Sequence, residues 1–311
     1  MKILALTGGV GGAKLALGLS QVTTPNDCLF AVNTGDDFEH LGLTICPDID
    51  SLTYALAQQN NEELGWGRKG ETWQFIETLA SLGGEDWFRL GDRDMALHMR
   101  RTSLLKSGLD LTAATAEIAH AMQIEHAIAP MSNDPVRTIV HTDSGDLPFQ
   151  HYFVRERCRP AVSGFTFQGV DQAQLNPRIS EWLKDCQGVV ICPSNPYVSV
   201  DPILALPGFK DAIKQIPLIA VSPIVGGMAI KGPAAKMMQE LQIPASPLAV
   251  AEHYRGLIDG FILDQTDESD AKIIEDQLQI PAIATQTIMV TLKDRVSLAG
   301  DALRLLQSLI S

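Results

Sequence analysis

The chain opens with a short apolar run, Ile3-Leu4-Ala5-Leu6-Thr7, that passes straight into Gly8-Gly9-Val10-Gly11-Gly12-Ala13-Lys14. A strand that turns through glycine into a helix is a βα unit, and here the helix is expected to begin near Ala13. Four glycines in five residues leave main-chain N–H groups uncovered at that turn. Such amides, together with a helix N-terminus, make a site for a phosphate group. The ligand class follows before anything else does: a phosphorylated molecule.

Two familiar loops do not fit. Gly9-Val10-Gly11-Gly12-Ala13-Lys14 has the first two glycines of G-x-G-x-x-G, but Lys14 stands at the third. Lys14 is followed by Leu15, so no Walker loop is present either. The next apolar run, Cys28–Val32, ends in Asn33-Thr34-Gly35-Asp36-Asp37, and Cys46-Pro47-Asp48-Ile49-Asp50 follows. A nicotinamide enzyme would place one acid there for the ribose; four carboxylates within fifteen residues are too many for that contact.

Composition narrows the class further. At 311 residues and 45% hydrophobic, the chain suits one large or two modest domains with an ample core. No run of 18 apolar residues occurs and the chain enters a strand at residue 2, so neither a membrane span nor a signal peptide is expected. The net charge of −13 argues against a nucleic-acid partner, which would demand a basic footprint. Five scattered cysteines without C-x-x-C read as reduced thiols of a cytoplasmic protein.

Apolar runs at Ile3–Leu6, Leu29–Val32, Gly188–Cys192, Leu218–Val221, Gly260–Leu263 and Ile288–Met289 lack polar alternation, as in parallel strands covered on both faces. Amphipathic stretches such as Ala234–Gln242 and Ser297–Ser308 read as crossover helices. Residues 51–127 read as helical, with a cap at Asp110 or Thr112. Val136–Thr142, a turn at 143–146 and Leu147–Val154 read as a hairpin. The expected architecture is therefore α/β: a Rossmann-like doubly wound parallel sheet with a helical insertion and a small antiparallel β-hairpin unit. Its nucleotide-binding core would span 1–50 and 185–311, and the insertion 51–184.

In such sheets ligands collect at the carboxyl ends of the strands. Polar turns follow strands at Gly8–Lys14, Asn33–Asp37, Pro193-Ser194-Asn195-Pro196 and Ser222-Pro223. The third gives a rigid turn near a helix start, and Ser222-Pro223 is expected to repeat the device. Asp48 and Asp50, two apart in an extended stretch, would point to one side and could bind Mg²⁺ or share a proton; Asp50 could equally cap a helix over 51–58. In Leu90–Arg101, Asp92 reads as a helix cap, Asp94 and His98 share a face at i, i+4, and Arg93 could fork onto a phosphate or carboxylate. Pro130–Pro135 supplies Ser132, Asn133 and Asp134 as candidate contacts for a polar ring or a phosphate.

Taken in order, Gly8–Lys14, Val32–Asp37, Cys46–Asp50, Gly65-Trp66-Gly67, Leu90–Asp94, Pro193–Pro196 and Val221–Ile224 resemble the 2-phospho-L-lactate transferase family (CofD-like) of coenzyme F-420 biosynthesis. The likeness runs from residue 2 to about residue 300. It implies a Mg²⁺-dependent phosphotransferase. Its donor would be a guanosine diphosphate carrying lactate, or phosphoenolpyruvate in its place, and its acceptor the ribityl hydroxyl of a deazaflavin precursor, 7,8-didemethyl-8-hydroxy-5-deazariboflavin. GMP would leave. The resemblance implies catalytic roles for Asp50, Arg93 and Asp48, with Asp50, Arg93, Asp94, His98 and Asn133 near the deazaflavin. Gly8, Gly9, Gly11, Gly12, Lys14, Ser194, Asn195 and Ser222 would hold the nucleotide, and Asp48, Asp50 and Asp36 the metal. A homodimer is implied as well. Phe38–Gly42 departs from the aromatic-rich run of relatives. Two other classes compete: a non-catalytic nucleotide-sugar-binding regulator of carbon metabolism on the same core, which would not need Asp48, Asp50 and Arg93, and a nicotinamide oxidoreductase, which Lys14 disfavours.

Overall fold

A computed structural model describes every residue except Glu62, Lys231 and Ser311. The N-terminal third runs β1 (Ile3–Thr7), α1 (Gly9–Val22), β2 (Cys28–Val32), β3 (Phe38–His40), β4 (Leu43–Ile45), α2 (Pro47–Leu56), α3 (Gln74–Ser81) and α4 (Asp92–Lys106). The middle adds α5 (Leu111–Ala121), β5 (Ala127–Pro130), β6 (Arg137–Thr142), β7 (Gly145–Pro148), β8 (Val162–Gln168), α6 (Pro177–Leu183) and β9 (Gly188–Ile191). Then come α7 (Asp201–Leu204), α8 (Phe209–Ile213), β10 (Leu218–Val221), β11 (Ile224–Val225), β12 (Met228–Ala229), α9 (Ala234–Glu240) and α10 (Pro247–His253). The chain closes with β13 (Gly260–Asp264), α11 (Glu268–Leu278), β14 (Ala282–Thr285) and α12 (Leu292–Ile310).

Seven strands form one parallel sheet in the order β14-β13-β10-β9-β1-β2-β5. The β1 residues are buried on both faces, which is why this strand reads as an unbroken apolar run. Ile3 and Ala5 pack into one core with Leu15 and Leu19 of α1, Ile49 and Leu52 of α2, and Leu298 and Leu306 of α12. Leu4 and Leu6 point the other way, into a core shared with Ile179, Phe209, Met237, Val250 and Ile274. The sheet is thus covered on both sides, as doubly wound folds require.

From β1 the chain first builds outward through β2 to β5, then returns to the other flank with β9 and builds outward again to β14. The crossover reverses between β1 and β9, which pair Leu6 with Ile191. Open α/β sheets bind ligands in the crevice at the carboxyl ends of the strands at such a reversal. Here Gly8 and Pro193 emerge side by side.

Several local expectations are corrected. α1 starts at Gly9 and not near Ala13, so the glycines form the first turn of the helix itself. Gly9 needs its glycine, with φ +65°, and a Cβ on Gly11 would collide with the Pro193 carbonyl. The last sheet strand is β14, Ala282–Thr285, and Ile288–Met289 forms no strand. The antiparallel unit has three strands, β7-β6-β8; β7 ends at Pro148, and His151–Arg155 is a π-helical turn. The β3–β4 hairpin was not anticipated. Asp92 lies inside α4, whose N-cap is Gly91, although Asp92 still accepts a hydrogen bond from the Phe75 amide. Ser222 leads into the β11–β12 hairpin and no helix, bonding the Ile224 amide and carbonyl with its hydroxyl. The cap at Asp110 holds, accepting from the Ala113 amide at 2.7 Å. Among the described residues no helix is long and apolar enough to cross a membrane.

Candidate active site

The crevice at the β1–β9 ends opens into a cavity of about 610 Å³. Gly8, Gly9, Val10, Gly11 and Lys14 line one side, with Ser194, Asn195 and Ser222 beside them. Asp36, Asp48 and Asp50 line it too. Trp66, Trp87, Phe88, Phe149 and Phe153 stand elsewhere around the same space, so one cavity joins a polar end to an aromatic one.

Not all the glycine-loop amides are uncovered. The Gly8 amide donates to Ser194 Oγ at 3.1 Å and the Gly9 amide to Asp48 Oδ1 at 2.6 Å. Asp48 therefore sits at the N-terminus of α1 as a built-in anion, favoured there by the helix dipole. The Val10 and Gly11 amides belong to the same first turn and have no carbonyl one turn back, and both residues line the cavity. Lys14 Nζ donates to the Met289 carbonyl at 3.0 Å, which draws the loop after β14 over the site. Asp264 anchors that loop by accepting from the amide and hydroxyl of Thr287, both at 2.9 Å.

The paired aspartates do not point to one side. Pro47 at the first position starts α2, so Asp48 and Asp50 lie two apart on a helix and diverge. Asn33 Nδ2 donates to Asp48 Oδ2 at 2.9 Å and to Asp36 Oδ1 at 3.2 Å, tying these two carboxyls together. Both titrate high. Burial pushes the Asp48 carboxyl up to about 6, against the bonds from Asn33 and Gly9. Burial, then the neighbouring Asp48, raises Asp36 well above the usual carboxylate range.

Asp50 faces the other way, into the guanidinium of Arg101. Arg101 Nη1 donates to Oδ2 at 3.1 Å, and Nη2 to Oδ1. Arg101 is 1% exposed. Burial works against its charge, but Asp50 more than compensates and raises its pKa. On the same face of α4, His98 lies 3.6 Å from Asp50 and 3.3 Å from Asp94, as the i, i+4 spacing anticipated. Asp94 also accepts from the Tyr54 hydroxyl. Burial would raise Asp94, but His98 and Tyr54 hold it below the usual value.

Other expected contacts lie elsewhere. Arg93 is exposed, absent from the cavity wall, and directed at Gly70. Among the described residues the lysine and arginine side chains of the wall are Lys14, Arg89 and Arg157, and Arg89 stacks on Trp73 at 4.8 Å. Asn133 braces α5, accepting from the Thr112 amide at 3.0 Å, and does not line the cavity. Gly12 is packed behind it, against Thr7 and Ser194. Asn195 does line the cavity, and also caps the turn Pro196–Val200, accepting from the Tyr197 amide at 3.0 Å. Arg101 was not singled out from sequence, although Asp94, His98 and Arg101 fall at i, i+4, i+7 and so share one helix face.

The family model described as 2-phospho-L-lactate transferase CofD matches residues 3–295. The chain belongs to this family. A CofD relative, the 2-phospho-L-lactate transferase of Methanosarcina barkeri, is 34% identical over 308 residues, covering 99% of each chain. The phosphoenolpyruvate transferase of Streptomyces griseus is 38% identical over 313 residues, covering 98% of each. Among solved structures, a UPF0052 family protein from Bacillus halodurans superposes with a TM-score of 0.63 at 15% identity, covering 97% of this chain and 98% of that one. That likeness speaks to the fold alone. The chain is thus a CofD-type transferase of coenzyme F-420 biosynthesis with the α/β fold read from its sequence.

Proposed function

We propose that the chain transfers a 2-phospholactyl or enolpyruvyl phosphate group from a guanosine diphosphate donor to the ribityl hydroxyl of the deazaflavin precursor. The hydroxyl oxygen bonds to the phosphorus bearing the acid, its proton passes to solvent, the bridging P–O bond breaks, and GMP departs with the bridging oxygen and the electron pair of that bond. One observation carries the reading: a single cavity joins main-chain amides and four aspartates to a cluster of indole and phenyl rings. The first end suits a diphosphate and the second a planar tricycle. The names of the relatives, one a phospholactate and one a phosphoenolpyruvate transferase, support the same donor class.

Phosphoryl transfer asks for positioning and charge neutralisation more than covalent chemistry. The Val10 and Gly11 amides and Lys14 would hold the donor's phosphates. Asp50, oriented by Arg101, would accept the hydrogen bond of the attacking hydroxyl and aim its oxygen. Arg89 and Arg157, which line the cavity where Arg93 does not, would meet developing charge. Asp36 and Asp48 fit a divalent cation: two carboxyls on one Asn33 amide, both pushed up by burial, and Asp36 further by Asp48, gain from a shared positive charge. Among the described residues no group of three or more His, Cys, Asp or Glu is arranged to hold an ion, so water and phosphate oxygens would complete the shell. Bound there, Mg²⁺ would neutralise the diphosphate. Asp50 differs, because Arg101 already engages both its oxygens.

Mass spectrometry of reactions containing the precursor, Mg²⁺ and each candidate donor tests the proposal. A product with GMP release is expected from at least one donor; none from either would end it. Asp50→Asn should lower turnover about a hundredfold, the loss of one electrostatic contact worth on the order of 3 kcal/mol.

A further inference from the structure

We propose that Arg101, which lies outside the cavity wall, is the positioning residue for Asp50, and that it acts through the shape of its guanidinium and not through charge alone. The inference rests on the transfer reaction proposed above. Arg101 reaches Asp50 from α4, and the guanidinium is itself fixed. Its Nη1 lies 3.4 Å from the Thr44 carbonyl of β4 and 3.3 Å from His98 Nδ1, besides the two bonds to Asp50. Because Nη1 can only donate, the His98 Nδ1 it faces is an acceptor, and the ring proton sits on Nε2 beside Asp94. Asp94 is held in turn by Tyr54. Thr44 of β4 and His98 of α4 thus hold the guanidinium whose two bonds fix the plane of the Asp50 carboxylate.

The Nε of Arg101 shows why arginine stands here. It is buried with no hydrogen-bond partner. A lysine would bring the same charge on three rotatable donors without stranding an N–H. Retaining an unpaired N–H is unfavourable, and the compensating gain is a planar fork that presents two parallel donors to Asp50. A counter-charge alone does not need that fork; a carboxylate that must aim a hydroxyl does.

The experiment compares Arg101→Lys, Asp50→Asn and their double variant with the wild-type chain in the full reaction, measuring kcat, KM for each substrate, and thermal melting. Arg101→Lys is expected to lower kcat at least about tenfold, the scale of a misaligned reacting group, with donor KM within about twofold. The double variant is expected to turn over no more slowly than Asp50→Asn alone, because Arg101 acts only through Asp50. Should Arg101→Lys melt far below wild type, Arg101→Gln with Asp50→Asn, which removes both buried charges, replaces the double variant with the same expectation. Wild-type kcat in Arg101→Lys, donor KM rising as much as kcat falls, or losses that multiply in the double variant would each overturn the positioning role. A wild-type chain that forms no product with either donor overturns the proposed reaction and this inference together.

Discussion

The two ends of the cavity are built by opposite means. The polar end is made of backbone and short side chains at the carboxyl ends of β1, β2 and β9 and the start of α2, several of them deeply buried: Asn33, Asp36, Asp48 and Ser194 are all at most 5% exposed. The aromatic end is made of large side chains from short elements and loops outside the main sheet, and Trp66 and Phe153 remain 46% and 38% exposed. One end is held by the sheet's own strand pairing; the other leans on ring-to-ring contacts, such as Trp87 with His151 at 4.8 Å. A site arranged this way can present a rigid cradle to the group being transferred and an adjustable wall to the acceptor.

The largest expected effect tests the rigid end. Asp48→Asn should cut turnover at least about a hundredfold with only a modest fall in melting temperature, since the neutral amide keeps an acceptor for the Gly9 amide but turns an NH2 toward Asn33 Nδ2. A large fall in melting temperature would show that Asp48 is there to build the loop and not to act.

Asp264→Asn asks whether the loop after β14 belongs to the rigid end. Burial would raise this carboxyl, but its bonds from Thr266 and Thr287 outweigh that and depress it. A depressed folded-state value means stability present above the unfolded carboxylate range and lost as pH falls through the folded value. The variant should be less stable than wild type by about 1.5–3 kcal/mol at neutral pH, and denaturant titrations should show that gap closing in acid below about pH 4. A gap that persists undiminished in acid would assign the loss to packing.

Trp87→Ala probes the adjustable wall and should be the mildest. The acceptor's KM is expected to rise about tenfold, near the upper end of what one aromatic pair contributes, with donor KM and folding hardly changed. If donor KM rises equally, the two ends are not separable.

The same division explains what could be read without coordinates. β1, β2, β9, β10 and β13 are continuous apolar runs, so two-sided burial announces itself. β14 does not: Ala282-Ile283-Ala284-Thr285 is only partly buried at the sheet edge, and the more apolar Ile288–Met289 drew the reading away to a segment that instead borders the cavity. The glycines, Asp36, Asp48, Asp50 and Asp94 are legible as a set because each follows a strand or marks a helix start, and His98 because it stands at i, i+4 from Asp94. Their pairings are not. Whether Asp48 meets Asp50 or Asn33 depends on Pro47 beginning a helix, and whether Arg93 or Arg101 faces inward depends on the rotation of α4. Both are decided by tertiary packing.

The hydrogen bond from Gly8 to Ser194 joins groups 186 positions apart in the chain. Because β9 must dock beside β1 before the cradle exists, a growing polypeptide has no binding competence until well past its midpoint. Closing so long a loop favours slow assembly. A ligand that binds only the completed crevice would therefore stabilise the finished molecule by mass action without speeding the steps that precede that docking.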